Sequence, residues 1–389
     1  MKIDHARLHL VRLPLVHSFE TSSHRKAHLD HILVELVDDE GNTGWGEIAS
    51  PSDPYYTADT VQTSWSIATR YLLPAVVGAE VDKPGELAGR YGKVRGNRFA
   101  AAGVDAAGWA LWATREGIPL ASALGGTRSS VVAGVSLGIE KTVDDLLAQV
   151  GTHVDAGYRR VKLKIAPGWD VEPVRAVRAA YPELMLQVDA NGAYRDDPDH
   201  LAALARLDDA GLLMIEQPFA PRDLLTSAAL QARSSTPVCL DESIETVDDL
   251  RTADALGAGR ILNIKASRMG GLTAAVRAHD AAAELGWPVW CGGMHEFGIG
   301  RAANVALSSL PGFTLPSDVS ASEKYYARDV TEPITARDGV VDVPARAGLG
   351  VEVDTEFLVR SRLDTFALGD GAEHDPAAGL AVAVAPRQS

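Results

Sequence analysis

Cysteine is nearly absent from this chain: two residues in 389, Cys239 and Cys291. Both sit inside apolar, strand-like runs, so they read as buried thiols of a reducing compartment rather than as half of a disulfide scaffold. Long hydrophobic runs are missing too; no stretch approaches the roughly 18 consecutive apolar residues of a membrane span. The opening segment, MKIDHARLHLVRLPL, alternates like a strand and lacks the apolar centre of a secretion signal, so the cytoplasm is the expected location. Positive charge is in deficit, with 37 Lys and Arg against 52 Asp and Glu and a net charge of -15. That balance argues against nucleic acid or an anionic membrane as partner. A small anionic substrate remains compatible with it, because the field inside one site can oppose the global one. What is present is ordinary for a globular protein, 46% hydrophobic and 23% charged residues, in a chain long enough for two domains.

The first 125 residues show no barrel-like repeat. Ile3–Leu13 and Ile32–Val37 alternate as strands, and DDEGNTG (38–44) predicts a hairpin turn into a third strand near Trp45–Ile48. Helical patterns follow at Ala58–Leu73, Pro84–Tyr91 and Ala100–Arg115, so this part reads as an α+β unit. Gly125–Gly126 marks a boundary. Beyond it strands and helices alternate, from a strand near Val131–Ile139 to strands at Val289–Cys291 and Phe313–Leu315, through residue 329. Short strand signals at about 330–368 suggest a return to the first domain, and 369–389 reads as a loosely ordered tail.

Five charged residues punctuate the alternating part: Lys164, Asp189, Glu216, Asp241 and Lys265, at steps of 25, 27, 25 and 24 residues. Each ends or closely follows a short apolar run (RRVKLKI, LMLQVDAN, GLLMIEQP, TPVCLDES, GRILNIKA). Such a step is about one strand, one helix and two loops, the unit of a parallel βα barrel, whose strand carboxyl ends form one mouth. Asp189, Glu216 and Asp241 on consecutive strands would converge there. Three carboxylates without sulfur or imidazole suit Mg²⁺, with Mn²⁺ as a substitute, and not zinc. Lys162 and Lys164, two apart on a strand, share a face, and their proximity is expected to lower the pKa of one towards that of a base. With Lys265 on the far side, the pattern suits abstraction of a proton α to a carboxylate, where a divalent cation stabilises the enediolate dianion.

Three other motifs carry less. Gly134-Val-Ser-Leu-Gly138 matches G-x-S-x-G, but Ser136 lies in a strand run instead of a strand-to-helix elbow, so its hydroxyl is expected at most to touch substrate. Gly298-Ile-Gly300 lacks the rest of a dinucleotide fingerprint. His279–Asp280 reads as a helix-surface pair. Apart from these motifs, the Tyr55–Tyr56 pair fits a lid element and an ordinary loop aromatic equally well.

The motifs VKLKIAPGWDVEPVRAVR (161–178), QVDANGAY (187–194), IEQPF (215–219), CLDESI (239–244), NIKASRMGG (263–271) and WCGGMHEFGIGRAANVALSSLPGFTLPSD (290–318) resemble the muconate-lactonizing branch of the enolase superfamily. Within it they look like the o-succinylbenzoate synthase / N-succinylamino acid racemase group. The resemblance implies a (β/α)7β TIM-like barrel with an α+β N-terminal capping domain, metal ligands at Asp189, Glu216 and Asp241, and acid/base lysines at Lys164 and Lys265. It implies that Lys162 neutralises the substrate carboxylate, that Asn191 and Glu242 support the ligands, and that Arg268 goes with racemase ability. It further implies a small carboxylate substrate and a homo-oligomer. Dipeptide epimerases and muconate cycloisomerases share the constellation; a non-catalytic barrel that only binds is the remote alternative. His295, beside Glu296, stands where the group has an aliphatic residue, and Gly192 where Ser or Thr is common. The loop His17–His31 carries four histidines. These departures lie where the family selects its substrates, so His295 and the histidine-rich loop are expected to add polar, partly cationic groups there.

Overall fold

The computed structural model describes residues 1–20 and 25–369, with the side chains of 17–26 left out. Of the four histidines between His17 and His31, only the side chains of His28 and His31 are therefore described, and the tail beyond Gly369 lies outside the described residues.

Three antiparallel strands, β1 (Ile3–Glu20), β2 (Arg25–Asp38) and β3 (Thr43–Ile48), follow the predicted order, joined at Asp38 by a turn with Gly41 at φ 84°. Ile3, Leu8, Ile32, Val34, Leu36 and Ile48 form a core with the helix Arg98–Arg115. Glycine is required at that contact. A Cβ on Gly46 would lie 2.1 Å from Gly103 O, so strand and helix pack backbone to backbone. The predicted helix at 58–73 runs from Val61 to Val76 with a π-helical turn at Ala68–Leu72.

After β4 (Ser130–Val132) come seven parallel strands: β5 (Val135–Leu137), β6 (Arg160–Lys164), β7 (Met185–Asp189), β8 (Ile215–Glu216), β9 (Val238–Leu240), β10 (Ile261–Ile264) and β11 (Val289–Cys291). They pair in sequence order, β5 to β11, with helices between them. The strand expected over 131–139 is broken in two at Gly134, where the Arg160 guanidinium lies so close that a Cβ would meet its Cζ at 2.1 Å. The strand expected at Phe313–Leu315 does not form. Closure falls to Ser317 and Asp318 instead: Ser317 N–H donates to Val132 O (3.0 Å), Gly134 N–H to Ser317 O (2.8 Å) and Asp318 N–H to Cys291 O (2.7 Å). Pro311 and Pro316 have no N–H to offer a ladder, which confines the last strand to this short seam.

The segment after the barrel divides. Ala336–Arg337 and Val340–Asp342 form a hairpin that pairs with β4, and only Arg362–Gly369 enters the cap sheet, antiparallel to β1. Cys239 and Cys291 are buried free thiols on β9 and β11. Among the described residues no helix is long and apolar enough to cross a membrane.

Candidate active site

The strand ends set the site. β6 carries Arg160, Lys162 and Lys164 on one face, because alternate residues of a strand point the same way. Across the ladder Lys164 pairs with Asp189 and Asp189 with Glu216, each the last residue of its strand. Asp241 and Lys265 come one residue after β9 and β10. All of these except Lys164 are buried.

Lys164 and Lys265 bind different carboxylates, and Lys162 lies among three. Lys164 Nζ donates to Asp189 Oδ2 at 2.6 Å and to Asn191 Oδ1. Asn191, at φ 44°, in turn donates from its side-chain amide to Glu242 at 2.8 Å. Lys162 Nζ lies 3.1 Å from Glu216, 3.0 Å from Asp318 and 3.5 Å from Asp189, with the Trp290 ring 4.7 Å away. Lys265 Nζ donates to Asp241 Oδ2 at 2.9 Å and to the Tyr56 hydroxyl at 3.0 Å. Arg268 binds the other oxygen of Asp241 and is fixed by the carbonyls of Ile244 (2.9 Å) and Asn263 (2.6 Å). Glu216 accepts from Asn263 Nδ2 at 2.7 Å.

Crowding of like charge is the electrostatic signature. Burial, then the charges of Asp189 and Asp241, pushes Glu216 up to about 7. Burial and then Asp241 and Asp189 push Glu242 up to about 8. Asp241 goes the other way: burial would raise it, but Lys265 and Arg268 bring it down to about 2. Burial opposes Asp189 similarly, and Lys164 and Lys162 hold it low. The expected depression of one lysine by its neighbour does not occur at Lys162. Burial pulls its pKa down, but Asp318, Glu216 and Asp189 outweigh that and raise it. Lys265 is raised for the same reason, by Asp241 and Tyr56 against burial.

Lys162, Lys164, Asn191, Glu242, Lys265, Ser136, His295, Glu296 and Asp318 line one cavity of about 320 Å³ between barrel mouth and cap. Ser136 sits on β5 and donates to Asp318 Oδ2 at 3.0 Å, so it is no elbow nucleophile. His279 accepts from Gly312 N–H at 2.9 Å and stacks on Phe313, away from this cavity. His295 corrects the expectation of added positive charge. It is stacked on Tyr325 at 4.8 Å, and burial together with Lys324, Arg301 and Lys164 holds its pKa well below the usual value, so it is neutral. Its φ of 60° is a left-handed backbone value.

Two participants escaped the sequence reading, and a third is assigned no partner by it. Arg160 stands two before Lys162 in RVKLK, a visible signal; it pairs with Asp318 at 2.7 Å. Asp318 ends the closing seam and joins Arg160, Lys162 and Ser136. Tyr56, which the sequence leaves between lid element and ordinary loop aromatic, reaches from the cap to Lys265.

Metal-ligand chemistry is partly expressed. Among the described residues no three His, Cys, Asp or Glu side chains stand together as a closed ligand group; Lys162 lies between Asp189 and Glu216, and Lys265 and Arg268 bind the two oxygens of Asp241. The donor set itself fits a hard divalent cation: three buried carboxylates on adjacent strand ends, two of which raise the pKa of the third.

Residues 5–125 match the mandelate racemase / muconate lactonizing enzyme N-terminal domain and residues 145–357 the enolase C-terminal domain-like family. An o-succinylbenzoate synthase of Geobacillus kaustophilus is 46% identical, over 92% of this chain and 96% of that protein. An N-succinylamino acid racemase of Thermus thermophilus is 43% identical, over 93% of this chain and 98% of that protein. A solved enolase-superfamily member from Listeria innocua superposes with a TM-score of 0.92 at 38% identity, covering 95% of this chain and 99% of that one. Cap and barrel are thus both matched, in order and over nearly their full lengths, and the chain belongs to the mandelate racemase / muconate lactonizing enzyme family of the enolase superfamily.

Proposed function

We propose that this chain is a Mg²⁺-dependent enzyme that removes the proton α to the carboxylate of a small anionic substrate, as an N-succinylamino acid racemase, an o-succinylbenzoate synthase or both. The observation that carries the reading is the placement of Lys164 and Lys265. They enter one cavity from strands four places apart in the parallel sheet, each bonded to a different carboxylate, with Glu216 on the strand midway between them. Relatives at 43–46% identity bear the names of those two activities, which favours them over epimerisation of dipeptides or cycloisomerisation.

Enolase-superfamily enzymes generally use Mg²⁺; here Asp189, Glu216 and Asp241 would hold it, and when bound it supplies positive charge against which a second negative charge can build on the substrate carboxylate. The remaining work falls to the chain's own groups. Lys162, kept cationic by Asp318 and Glu216, faces the cavity and neutralises the substrate carboxylate. Lys164 takes or returns the α-proton on one face and Lys265 on the other. In the synthase reaction Lys164 alone would take the α-proton, the charge of Lys265 would steady the anion, and the β-hydroxyl would depart as water with the proton that Lys164 returns. The two buried thiols accord with a cytoplasmic setting, and we extend the reading to a homo-oligomer there.

The test is α-proton NMR in D₂O with Mg²⁺ and each enantiomer of an N-succinyl amino acid, beside turnover of the β-hydroxy acid precursor of o-succinylbenzoate. Exchange or dehydration supports the proposal. Absence of both would reject it.

A further inference from the structure

Tyr56 belongs to the cap, on the loop between β3 and the helix Val61–Ile67, yet its hydroxyl sits in the barrel mouth. It accepts from Lys265 Nζ at 3.0 Å and lies 3.4 Å from Asp241 Oδ2 as donor, while its ring stands 4.8 Å from the same ammonium. The loop is held at its ends: Val61 N–H donates to Pro51 O at 3.0 Å, and Phe99 N–H to Asp59 Oδ2 at 3.1 Å. The Tyr56 ring packs on the cap's own core, against which Met294 of the barrel also packs. A tyrosine with two side-chain torsions, anchored this way, restricts a lysine whose four-carbon stem is otherwise loose.

Lys164 is arranged differently. Its hydrogen bonds run to Asp189 and Asn191, both barrel residues. One lysine of the pair therefore takes its orientation from the barrel alone, and the other takes part of it from the cap.

We infer that Tyr56 is a positioning residue for Lys265, making proton transfer at that lysine depend on a seated cap while transfer at Lys164 does not. The inference rests on the two-lysine reading above. It concerns the hydroxyl, so Tyr56→Phe is the informative substitution: the ring, its packing and its contact with the ammonium stay, and the hydrogen bonds to Lys265 and Asp241 go.

The experiment follows α-proton exchange of both enantiomers of an N-succinyl amino acid in D₂O by the Mg²⁺-loaded full chain. Lys265→Ala first identifies the enantiomer that depends on Lys265. Tyr56→Phe should then slow exchange of that enantiomer at least tenfold, in kcat more than in KM, and leave the other within twofold. Mg²⁺ affinity by calorimetry and the thermal midpoint should match the wild type. Tyr56→Leu, which also removes the ring, should widen the gap between enantiomers. Equal slowing of both enantiomers, no slowing, or a tenfold loss of Mg²⁺ affinity would overturn the inference, the last by showing that Tyr56 acts on Asp241. A wild type that exchanges neither enantiomer would instead remove the two-lysine reading on which it stands.

Discussion

Asp105, on the long helix of the cap, accepts both the hydroxyl and the backbone N–H of Thr273 in the barrel, at 2.6 and 2.9 Å. The contact caps the helix Leu272–Leu285, whose own N-cap residue, Gly271, has no side chain to do so. A cap carboxylate thus completes a barrel helix, and it ties cap to barrel.

That carboxyl predicts a pH dependence of stability. Burial pushes Asp105 up to about 6, only partly offset by its bonds to Thr273. The folded state therefore keeps a proton that the unfolded chain releases between about pH 4 and 6, so stability falls as pH rises through that window and returns on acidification. A shift of about two units corresponds to roughly 2–3 kcal/mol. Urea unfolding of wild type and Asp105→Asn should differ by a ΔΔG that changes by about that amount between pH 7.5 and pH 4.5. A constant difference would show that Asp105 keeps one charge state throughout.

Glu216 should trade stability against function. Glu216→Gln removes one of three mutually repelling buried carboxylates, so in chelator the variant should unfold about 1 kcal/mol later than the wild type. Under the proposed metal assignment the same change removes a ligand, so activity should drop by several orders of magnitude and added Mg²⁺ should no longer raise the melting temperature. EDTA should silence the wild type, with Mg²⁺ or Mn²⁺ restoring it. Full activity in chelator would sink the metal assignment.

The two lysines should separate by substrate face. Lys164→Ala should abolish racemisation and leave exchange for the enantiomer that Lys265 serves; Lys265→Ala should give the mirror result. Arg268→Ala, which takes the guanidinium from Asp241, should weaken the Lys265 half-reaction more than the other. The readout is single-enantiomer NMR exchange, and loss of both half-reactions in both folded, metal-binding variants would contradict the two-base arrangement.

His295 should act on specificity through shape and hydrogen bonding, because its imidazole is neutral. His295→Leu should reorder kcat/KM among N-succinyl, N-acetyl and dipeptide substrates by about tenfold, with less effect on exchange itself. The wild-type ranking should not change between pH 6 and 8, since an imidazole held well below its usual pKa does not titrate there. A flat ranking in the variant would reduce His295 to packing.

The charged step of about 25 residues and the K-x-K on β6 were readable because both are local properties of a backbone: strand period two sets the face, and one βα unit sets the spacing. Family motifs then named the same residues independently. Two things were not readable, because they depend on segments distant in sequence. The closing strand shrank to Ser317 and Asp318 where prolines interrupt it, and Asp318 became the partner of Arg160, Lys162 and Ser136 only once the barrel closed. Tyr56 meets Lys265 across a separation of 209 residues. Charge states followed the same division. Two neighbouring lysines read alone predict a lowered pKa, yet Lys162 rises because Asp318 and Glu216 are brought to it, and the pKa of His295 is pulled down by burial first and then by Lys324 and Arg301. Sequence alone determined which side chains share a strand face; the sign and strength of the field around each was decided by tertiary structure, since Coulomb energy depends on distance through space and on burial, not on position along the chain.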